Sequence, residues 1–431
     1  MRKIVVLGGY GLIGSACMKA LSKAGFEVTG IGRSMPSAIA SDAGARWLIR
    51  DIPSISVAEW QELLSGVDVV VNASGALQDG ARDDLTAIHV TAIARLVDAA
   101  SGSDLRIVQI SAAGASENAS TRFLQTKAKG DAIIASNARN WVILRPALVL
   151  SQDAYGGTAL LRAAAALPAV QPQLLPKTRI QTVYVGDIAR AAVAAARDEV
   201  PSGTIADLAE SEAHSFPDLL ASVRKWQGYP PARFRVPVPD LLLRTVARCA
   251  DLLGHLGWRS PLRSTALQVL RDGVRGDPGA WDLAGGPPCH SLDETLSRLP
   301  SSRQERAFAR AYLALPLAIG TLSLFWLLSG LITLLDPLRA MALLYDRGIV
   351  SWLVAATVIG GAVADVVLGL AILWRPWAKR AALGMIGLSA AYLAGSVLTA
   401  PDMWADPLGP MVKVFPGMAL AAVVWLLMEE R

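Results

Sequence analysis

The sequence predicts an α/β domain built on a doubly wound parallel sheet, followed by an all-α bundle of four transmembrane helices. Three observations predict this. A glycine-rich turn links a short β-branched strand to an apolar helix near the N-terminus, further short buried strands recur after it, and the last third of the chain contains charge-poor apolar stretches. A chain of 431 residues is also too long for one ordinary hydrophobic core, so two or more domains are expected.

The composition supports this division. Hydrophobic residues make up 53% of the chain and the mean hydropathy is +0.40, which is high for a soluble protein. The net charge of +5 is modest, and no block of Lys and Arg resembles a nucleic-acid-binding arm, so no nucleic-acid partner is expected. The three cysteines have neither CxxC nor metal-ligand spacing, which indicates reduced cytosolic thiols and no metal site: Cys17, Cys249 and Cys289.

The glycine-rich turn has the spacing of a dinucleotide-binding site. Ile4 to Leu7 is typical of a buried strand, and the turn that follows opens an apolar helix. Gly8, Gly11 and Gly14 allow a tight turn, close approach of backbone to a pyrophosphate and close packing of helix on strand, while the helix N-terminus supplies donors for the anion. The same stretch imitates a signal peptide, but the glycine spacing explains it better. We predict that the whole turn binds the cofactor: Gly8, Gly9, Tyr10, Gly11, Leu12, Ile13 and Gly14.

The residues after the second strand, FEVTGIG, favour NADP over NAD as the cofactor. A carboxylate at this point would bind the ribose 2′-hydroxyl of NAD, but the chain has Gly32-Arg33-Ser34. The guanidinium of Arg33 can pair with a 2′-phosphate in a bidentate fork, and the Ser34 hydroxyl can support it. The alternative is that Arg33 is a solvated loop residue.

Further strands each end in a candidate contact. ARWLIRD ends at Asp51, which is placed for the adenine amino group. VDVVVNASG ends in a small-residue turn, Ala73-Ser74-Gly75, along which a cofactor can lie. The next two strands, LRIVQISAAGAS and WVILRPALVL, end near Ser111 and Arg145-Pro146.

As a set, these residues resemble the extended and atypical short-chain dehydrogenase/reductase family, which has a Rossmann fold. The likeness covers roughly residues 1–300 and looks most like the branch that contains the nucleotide-binding accessory subunit of respiratory complex I and NmrA-like proteins. Members of that branch often bind NADPH tightly and have weak or no catalysis. The resemblance implies that Lys127 and Pro146 contact the cofactor, and that residues 151–300 close the site over the substrate. It rests on Gly8-x-x-Gly11-x-x-Gly14, Asn72-Ala73-Ser74-Gly75, Ser111, Lys127, Arg145-Pro146 and VYVGDIARA.

The stretch TRFLQTKAKGD departs from that family at its catalytic tyrosine. Lys127 matches the lysine of Tyr-x-x-x-Lys, but Phe123 stands where the tyrosine would give or take a proton. By resemblance, Ser111 would orient the substrate carbonyl. General acid–base catalysis contributes about 10²–10⁴-fold, so the loss matters. Three interpretations stay open: Lys127 or a bound water handles the proton, Tyr155 on the loop after the sixth strand reaches in, or no chemistry occurs.

Four apolar stretches in the last third have membrane-spanning length, since crossing the ~30 Å hydrocarbon core takes about 20 helical residues. Basic residues cluster before the first stretch and between the second and third, so both termini are expected on the cytoplasmic side. The spans are predicted at about 313–335, 349–374, 381–399 and 411–428, within a membrane domain of residues 312–431 that follows a linker at 301–311.

Asp365 is the acidic residue inside these predicted spans. A carboxylate is costly in lipid and should face the bundle interior. At about 1.5 Å per residue, Asp365 lies roughly 14 Å from the cytoplasmic end of its helix, and Tyr392 lies roughly 16 Å along the next one. We predict that Asp365 hydrogen-bonds Tyr392, whether its role is functional or only in packing.

The membrane part resembles the DoxX-like family of four-helix membrane proteins through LSLFWLLSG, VADVVLGLAIL and MWADPLGPMVKVFPG. Proteins of that family are linked to quinone or thiol redox partners. Bacterial chains that pair a short-chain dehydrogenase domain with such a bundle recur, so the resemblance implies a multi-pass protein of the inner (cytoplasmic) membrane.

One stretch between the two parts, DLLLRTVARCADLLGHLGW from Asp240 to Trp258, predicts a helix with a single polar stripe. The rest of its surface is almost entirely apolar. Such a helix can lie on the bilayer surface, line a lipophilic substrate pocket, or pack into the substrate domain. The polar stripe comprises Arg244, Arg248, Asp251 and His255.

Two functional hypotheses follow. A membrane-anchored NADP-dependent oxidoreductase acting on a lipophilic carbonyl or a quinone explains why the cofactor domain is fused to a bundle. A non-catalytic NADPH sensor, or an assembly module of a membrane complex, explains Phe123. An epimerase-like activity on a nucleotide-linked substrate ranks third because that chemistry leans on the tyrosine. Membrane lipid is an expected partner in each case, as is a membrane protein or a second copy of the chain.

Overall fold

Residues 1–80, 83–154, 156–258, 260, 262–407 and 409–428 are described by the computed structural model, with residue 343 described by its backbone alone. They divide into two compact units. The first unit comprises Met1–Asp251 and Pro261–Arg306, and the second comprises Leu252–Ser260 and Ala307–Arg431.

The first unit is built on a seven-stranded sheet whose strands all run parallel, in the order β11-β6-β5-β4-β1-β2-β3. This confirms the predicted doubly wound Rossmann sheet. Strands β4 and β5 are buried throughout, as expected where helices cover both faces of a parallel sheet. The strands within the described residues are β1 (Lys3–Leu7), β2 (Glu27–Gly32), β3 (Arg46–Ile49), β4 (Val69–Asn72), β5 (Arg106–Ile110), β6 (Asn140–Pro146), β7 (Leu148–Leu150), β8 (Val170–Gln173), β9 (Arg179–Ile180), β10 (Thr182–Tyr184), β11 (Thr204–Leu208), β12 (His214–Ser215) and β13 (Phe234–Pro237).

Helices cover the two faces of the sheet. On one face, α1 and α7 bury side chains such as Leu21 and Ile188 together with Trp281. On the other face, α3 and α4 bury Trp60 and Leu96. The helices of this unit are α1 (Leu12–Lys23), α2 (Met35–Ser41), α3 (Val57–Leu63), α4 (Ala92–Ala99), α5 (Arg122–Asn137), α6 (Gly157–Ala165), α7 (Val185–Ala196), α8 (Phe216–Trp226), α9 (Asp240–His255, whose last turn belongs to the second unit), α10 (Ser264–Asp272), α11 (Gly279–Leu283) and α12 (Leu292–Arg298).

Within the described residues, the first unit also contains three two-stranded sheets. Strands β7 and β10 pair in parallel, as do β8 and β13, while β9 and β12 pair antiparallel. Their apolar side chains join those of α6, α8 and α12 in a separate core that contains Leu161, Leu220 and Leu296. This second core supports the cleft beside the carboxyl ends of the main strands.

The second unit is helical. Among the described residues, three helices are long and apolar enough to cross a membrane, namely α13, α15 and α16. The fourth predicted span is shorter than expected, because residues 411–413 form a turn and α17 has only 14 residues, about 21 Å at 1.5 Å per residue. The predicted linker at 301–311 is helical from Arg303 onwards. The helices are α13 (Arg303–Leu335), α14 (Pro337–Tyr345), α15 (Ser351–Ala371), α16 (Arg375–Thr399) and α17 (Val414–Leu427).

Small residues let the long helices of this unit approach closely. A Cβ on Gly330 of α13 would lie 2.5 Å from the carbonyl oxygen of Ala362 on α15, and one on Gly369 would lie 2.9 Å from Leu327. Such contacts are typical of helices that associate in lipid, where close van der Waals packing replaces the hydrophobic effect.

Candidate functional site

The turn between β1 and α1 forms a cradle of the kind that the glycine spacing predicts. Gly8 has a φ of +71°, which side chains disfavour, and its N–H and that of Gly9 donate to the carbonyl oxygen of Ile31 at 2.9 and 3.1 Å. A Cβ on Gly14 would lie 2.1 Å from the carbonyl oxygen of Gly8. No side chain caps the first turn of α1, which leaves its backbone donors for an anion. These residues fit a dinucleotide pyrophosphate, and the turn also holds Tyr10, Gly11, Leu12 and Ile13.

The residues predicted to recognise the 2′ position lie at the carboxyl end of β2. The Arg33 guanidinium pairs with Asp83, with 2.9 Å between Nη2 and Oδ1, and the Arg33 backbone N–H donates to the phenol oxygen of Tyr10 at 3.2 Å. Ser34 caps α2 with its side chain, and Asp51 is exposed just after β3. A 2′-phosphate at this point would compete with Asp83 for the guanidinium.

The small-residue turn after β4 lies against the glycine cradle. The carbonyl oxygen of Ala73 and the Cα of Ser74 would each be 3.0 Å from a Cβ on Gly8. The Asn72 side chain fixes this turn, because its Oδ1 accepts from the Ser74 N–H at 3.1 Å and its Nδ2 donates to Gln109 at 2.8 Å. The structure thus brings the two predicted backbone segments together.

Lys127 lies beside the last residue of this turn. Its side chain is buried, and Nζ donates to the carbonyl oxygen of Ile110 at 3.0 Å. A Cβ on Gly75 would lie 3.2 Å from Lys127 Nζ and 3.0 Å from His89 Nε2. Burial lowers the pKa of Lys127 to about 8, and the nearby Asp131 opposes that shift. The amine can therefore change its charge close to neutral pH.

His89 is a buried site residue that the sequence reasoning missed. Its Nδ1 lies 2.9 Å from Thr126 Oγ1, and that hydroxyl donates to the carbonyl oxygen of Phe123 at 3.0 Å. This pattern assigns the proton to Nδ1, and Nε2 accepts from the Ala76 N–H at 3.3 Å. Burial, and secondarily the charge of Lys127, lowers the pKa of His89 to about 2. The imidazole is therefore neutral and ties the Gly75–Ala76 backbone to α5.

Ser111 joins a buried polar cluster behind the lysine. Its hydroxyl donates to Asp131 Oδ2 at 2.8 Å, and Arg145 Nε donates to the same oxygen at 3.0 Å. Burial raises the pKa of Asp131, and the hydrogen bonds from Ser111 and Arg145 oppose that shift. Asp131 Oδ1 is buried and accepts no hydrogen bond from any described residue. The Ser111 proton is thus committed to Asp131, so a substrate would meet only the acceptor side of the hydroxyl.

The expected tyrosine position is filled by packing. The Phe123 ring lies edge-on to the His89 ring, with centroids 5.9 Å apart and planes at 67°. Tyr155, the alternative acid, lies outside the described residues. Pro146, predicted to contact the cofactor, ends β6 and accepts from the Ala113 N–H at 3.0 Å. Lys127 therefore remains the described group best suited to exchange a proton near neutral pH.

A cleft of about 540 Å³ opens at the carboxyl ends of β6 and β11, where parallel α/β sheets bind ligands. Two backbone contacts hold its outer wall: the Gly276 N–H donates to Gln181 at 2.8 Å, and the Asp277 N–H donates to Asp207 at 3.0 Å. Arg145 lines the cleft and also pairs with Asp131, so the cleft connects to the buried cluster. Its lining is mostly polar and includes Gly114, Arg145, Gln181, Asp207, Arg275 and Asp277.

The membrane unit contains one polar cluster that the sequence predicts. Asp365 is buried, and its Oδ1 accepts from the Tyr392 phenol at 2.9 Å, which confirms the predicted hydrogen bond. Its Oδ2 accepts from the Ser329 hydroxyl at 2.8 Å. Both carboxylate oxygens are thus satisfied inside the bundle, as an acidic group in lipid requires.

Comparison with protein families agrees with both parts of the chain. Residues 8–199 match a family described as NAD(P)H-binding. Residues 323–422 match the DoxX-like family. No curated protein matches the sequence.

Solved structures show the same fold for the first part. The Bordetella bronchiseptica enzyme WbmH, in complex with NAD⁺, is 17% identical, with a TM-score of 0.52 over 69% of this chain and 97% of that one. The UDP-glucose 4-epimerase of Thermotoga maritima is 16% identical, with a TM-score of 0.51 over 72% of this chain and 100% of that one. The UDP-N-acetylglucosamine 4-epimerase of Bacillus cereus is 14% identical, with the same TM-score and coverage. Residues 8–199 therefore match an NAD(P)H-binding family and share the fold of these solved structures, and residues 323–422 match the DoxX-like family.

Proposed function

We propose that the protein is a membrane-anchored, NADP-dependent oxidoreductase in which Lys127 donates the proton that a tyrosine would otherwise supply. The observation that carries this proposal is the buried Lys127 amine, which lies beside Gly75 and has a pKa of about 8. A general acid is most effective when its pKa lies near the operating pH. The bound cofactor would supply the hydride.

The choice of NADP is supported by the residues at the end of β2. Arg33 lies there with no carboxylate at the adjacent positions 32 and 34, and a guanidinium pairs well with a phosphate. The glycine turn and the backbone of Ala73 to Gly75 would hold the rest of the dinucleotide. Because the fold-level relatives are less than 20% identical to this chain, the NAD in the WbmH complex does not decide the cofactor here.

The proposed substrate is a lipophilic carbonyl or a quinone. The DoxX-like domain supports this, because a water-soluble substrate requires no membrane bundle. The polar lining of the cleft indicates that the end of the substrate that enters it is itself polar. The basic residues that flank the membrane helices support a cytoplasmic location for the Rossmann domain and C-terminus in the inner membrane, where NADPH is available.

A second candidate function is a non-catalytic NADPH-binding module of a membrane assembly. Two observations favour it: Phe123 cannot ionise, and the Ser111 proton is committed to Asp131. Both remove groups on which the family's chemistry depends. In this alternative the cradle binds the cofactor tightly, but Lys127 only positions it.

Turnover by the full chain in detergent separates the two functions. NADPH oxidation is measured with a short-chain quinone and with a panel of lipophilic carbonyl compounds, for the native protein and for Lys127→Ala and Phe123→Tyr. We expect the native protein to turn over, Lys127→Ala to lose that turnover, and Phe123→Tyr to change its pH dependence by adding a second acid.

NADPH binding, measured by the same protein's fluorescence, serves as the control. Tight binding without turnover on every compound, in both the native protein and Phe123→Tyr, would reject the oxidoreductase and favour the module.

A further inference from the structure

Helix α9 carries an exposed apolar stripe. Leu242, Val246, Cys249 and Leu253 are exposed, as is Leu256 directly after the helix. Their spacing of four, three, four and three residues places them on one line along a helix. Leu242 is 53% exposed, and Val246, Leu253 and Leu256 are each 38% exposed. The stripe thus leaves a row of apolar side chains without cover from the described residues.

One flank of α9, next to the stripe, packs through small side chains. Ala247 and Ala250 are buried, and they lie three residues apart on the flank between the stripe and the polar side of the helix. This orientation is therefore fixed by packing, so the exposed row is not the accidental surface of a loosely held helix.

Basic side chains lie on the far side of α9 from the stripe. Arg244 and Arg248 are both exposed and lie one turn apart, and Arg244 pairs with Asp240 at 2.6 Å. A helix with an apolar face and a basic polar face is typical of helices that lie in the membrane interface, where apolar side chains enter the acyl region and arginines meet anionic headgroups.

The last turn of α9 belongs to the second unit and is held there by the residues that follow it. The indole N–H of Trp258 donates to the carbonyl oxygen of Leu373 at 2.6 Å, and the Arg375 N–H donates to the carbonyl oxygen of Leu256 at 3.0 Å. The Arg375 guanidinium lies 5.5 Å from the centre of the Trp258 ring. These partners belong to the short connection between α15 and α16, which is where two long apolar helices leave the hydrocarbon core.

The aromatic side chains of that connection mark an interface. Trp374 and Trp377 are 49% and 46% exposed and stack on each other at 6.2 Å, and tryptophans of this kind collect at membrane–water boundaries. Leu253 and Leu256 belong to the second unit, so this end of the apolar stripe lies at the depth of the lipid headgroups.

We infer that α9 is an in-plane membrane helix, with Leu242, Val246, Cys249, Leu253 and Leu256 in the acyl region and Arg244 and Arg248 at anionic headgroups. The occupant of the stripe is lipid, rather than a protein or a substrate. This inference concerns α9 alone. It stands whether or not the chain turns over NADPH.

Cys249 provides a native probe at the centre of the stripe. Cys17 is buried and Cys289 is half-buried, so replacing both by Ala leaves one exposed thiol for a nitroxide spin label. The full chain is reconstituted in vesicles of phosphatidylcholine with phosphatidylglycerol. The accessibility of the label to oxygen, which concentrates in lipid, is compared with its accessibility to a water-soluble nickel chelate.

The matched control is Arg248→Cys in a chain in which Cys249 is also replaced by Ser. We expect the Cys249 label to favour oxygen and the label at position 248 to favour nickel. A Cys249 label that favours nickel would show that the stripe faces water. A label shielded from both reagents would show that protein covers it. Either result would overturn the inference.

The contribution of the headgroups is tested separately. In vesicles that contain phosphatidylglycerol, the double variant Arg244→Gln with Arg248→Gln should lower the oxygen preference of the Cys249 label. In vesicles of phosphatidylcholine alone, the double variant should change the oxygen preference of the label little. An equal effect in both kinds of vesicle would reject the role assigned to the arginines.

Discussion

The imidazole of His89 lies edge-on to the phenyl ring of Phe123, at 5.9 Å between ring centres. This contact puts a neutral, fully hydrogen-bonded histidine next to Phe123, at the position where the sequence resemblance predicts a tyrosine. The Nδ1–H of His89 is used by Thr126, and its Nε2 is used by the Ala76 N–H. The imidazole therefore positions the turn beside Lys127. Because its pKa is strongly lowered, it also makes the stability of the first unit depend on pH.

We expect acid to destabilise the first unit through His89. Its pKa falls from 6.5 to about 2 on folding, so below pH 6.5 the unfolded chain binds a proton that the folded chain does not. Stability is therefore complete above about pH 6.5 and declines as the pH falls towards 2, by about 2 kcal/mol at pH 5. Thermal unfolding of the full chain in detergent between pH 7 and pH 5 measures this loss.

The variant His89→Gln cannot titrate, but it can still donate to Thr126 and accept from Ala76. It should lose most of the acid sensitivity, whereas His255→Gln, which changes an exposed histidine, should retain it. Equal acid sensitivity in the native protein and His89→Gln would rule out this assignment.

Lys127 carries a cost in stability that its removal should relieve. Its pKa falls from 10.5 to about 8 on folding, so at pH 7 the folded protein holds a buried cation that the unfolded chain would keep in water. Lys127→Met keeps much of the side-chain volume without the charge, and we expect it to stabilise the cofactor-free protein by about 1–3 kcal/mol at pH 7. Thermal unfolding at pH 7 and at pH 10 measures the difference.

The stability gained by Lys127→Met should shrink as the pH rises from 8 towards 10.5. In this range the native lysine loses its proton in the folded state before it does in the unfolded state. Lys129→Met changes an exposed lysine on the same helix and should have little effect at either pH. A destabilised Lys127→Met protein at pH 7 would mean that the hydrogen bond to Ile110 outweighs the cost of burying the charge.

The ion pair between Arg33 and Asp83 should control cofactor choice. A 2′-phosphate must displace Asp83 from the guanidinium, so Asp83→Asn should tighten NADPH binding and leave NADH binding unchanged. Arg33→Ala should weaken NADPH binding by about tenfold or more, because charge-assisted hydrogen bonds contribute about 1.5–3 kcal/mol. Calorimetric titration of the native protein and both variants with each cofactor gives the six affinities that are needed.

Asp84→Asn is the matched control for Asp83→Asn, since it removes the same charge one residue away while keeping the oxygen that accepts from the Thr86 and Ala87 N–H groups. Were both variants to tighten NADPH binding equally, only the general reduction of negative charge would be at work. If Arg33→Ala weakened both cofactors alike, Arg33 would not recognise the 2′ position.

The parts of the site that the sequence predicts are formed by residues close together in the chain. The cradle between Gly8 and Gly14, and the turn at Ala73 to Gly75, each depend on residues that are neighbours in the chain. His89 and Asp131 were missed because their roles arise from distant partners. His89 meets Thr126 across 37 residues, and Asp131 meets Ser111 across 20. A lone histidine in an apolar segment gave no signal of this, although the placement of Asp131 one turn after Lys127 was a signal that could have been used.

In the second half of the chain, the start of α17 and the start of α13 differ from the boundaries expected from composition. The stretch 411–428 is apolar enough for a span, but Gly409 adopts a φ of +59° and the chain turns until Lys413, so fewer residues remain for the helix. The segment 301–311 is polar, which suggested a linker. Its residues are nevertheless good helix formers, and the Ser302 hydroxyl accepts from the Gln304 N–H at 3.2 Å, so α13 begins at Arg303.

The cluster of Asp365, Tyr392 and Ser329 provides a test of whether a buried carboxyl group in the bundle is structural or functional. Tyr392→Phe removes one donor and should cost about 0.6–2 kcal/mol, as expected for a hydrogen bond between membrane helices. Asp365→Ala leaves two hydroxyls without an acceptor and should cost more. Unfolding in mixed micelles, with the double variant to close the cycle, measures the coupling between Asp365 and Tyr392.

Asp365→Asn separates the two roles, because its amide can still accept from Tyr392 while its other end contacts Ser329. We expect this variant to fold like the native protein and to lose activity in the NADPH–quinone assay, since an amide cannot take up or release a proton at physiological pH. Unchanged abundance together with unchanged activity would make Asp365 a packing residue. The membrane domain would then hold the cofactor domain at the bilayer without taking part in the chemistry.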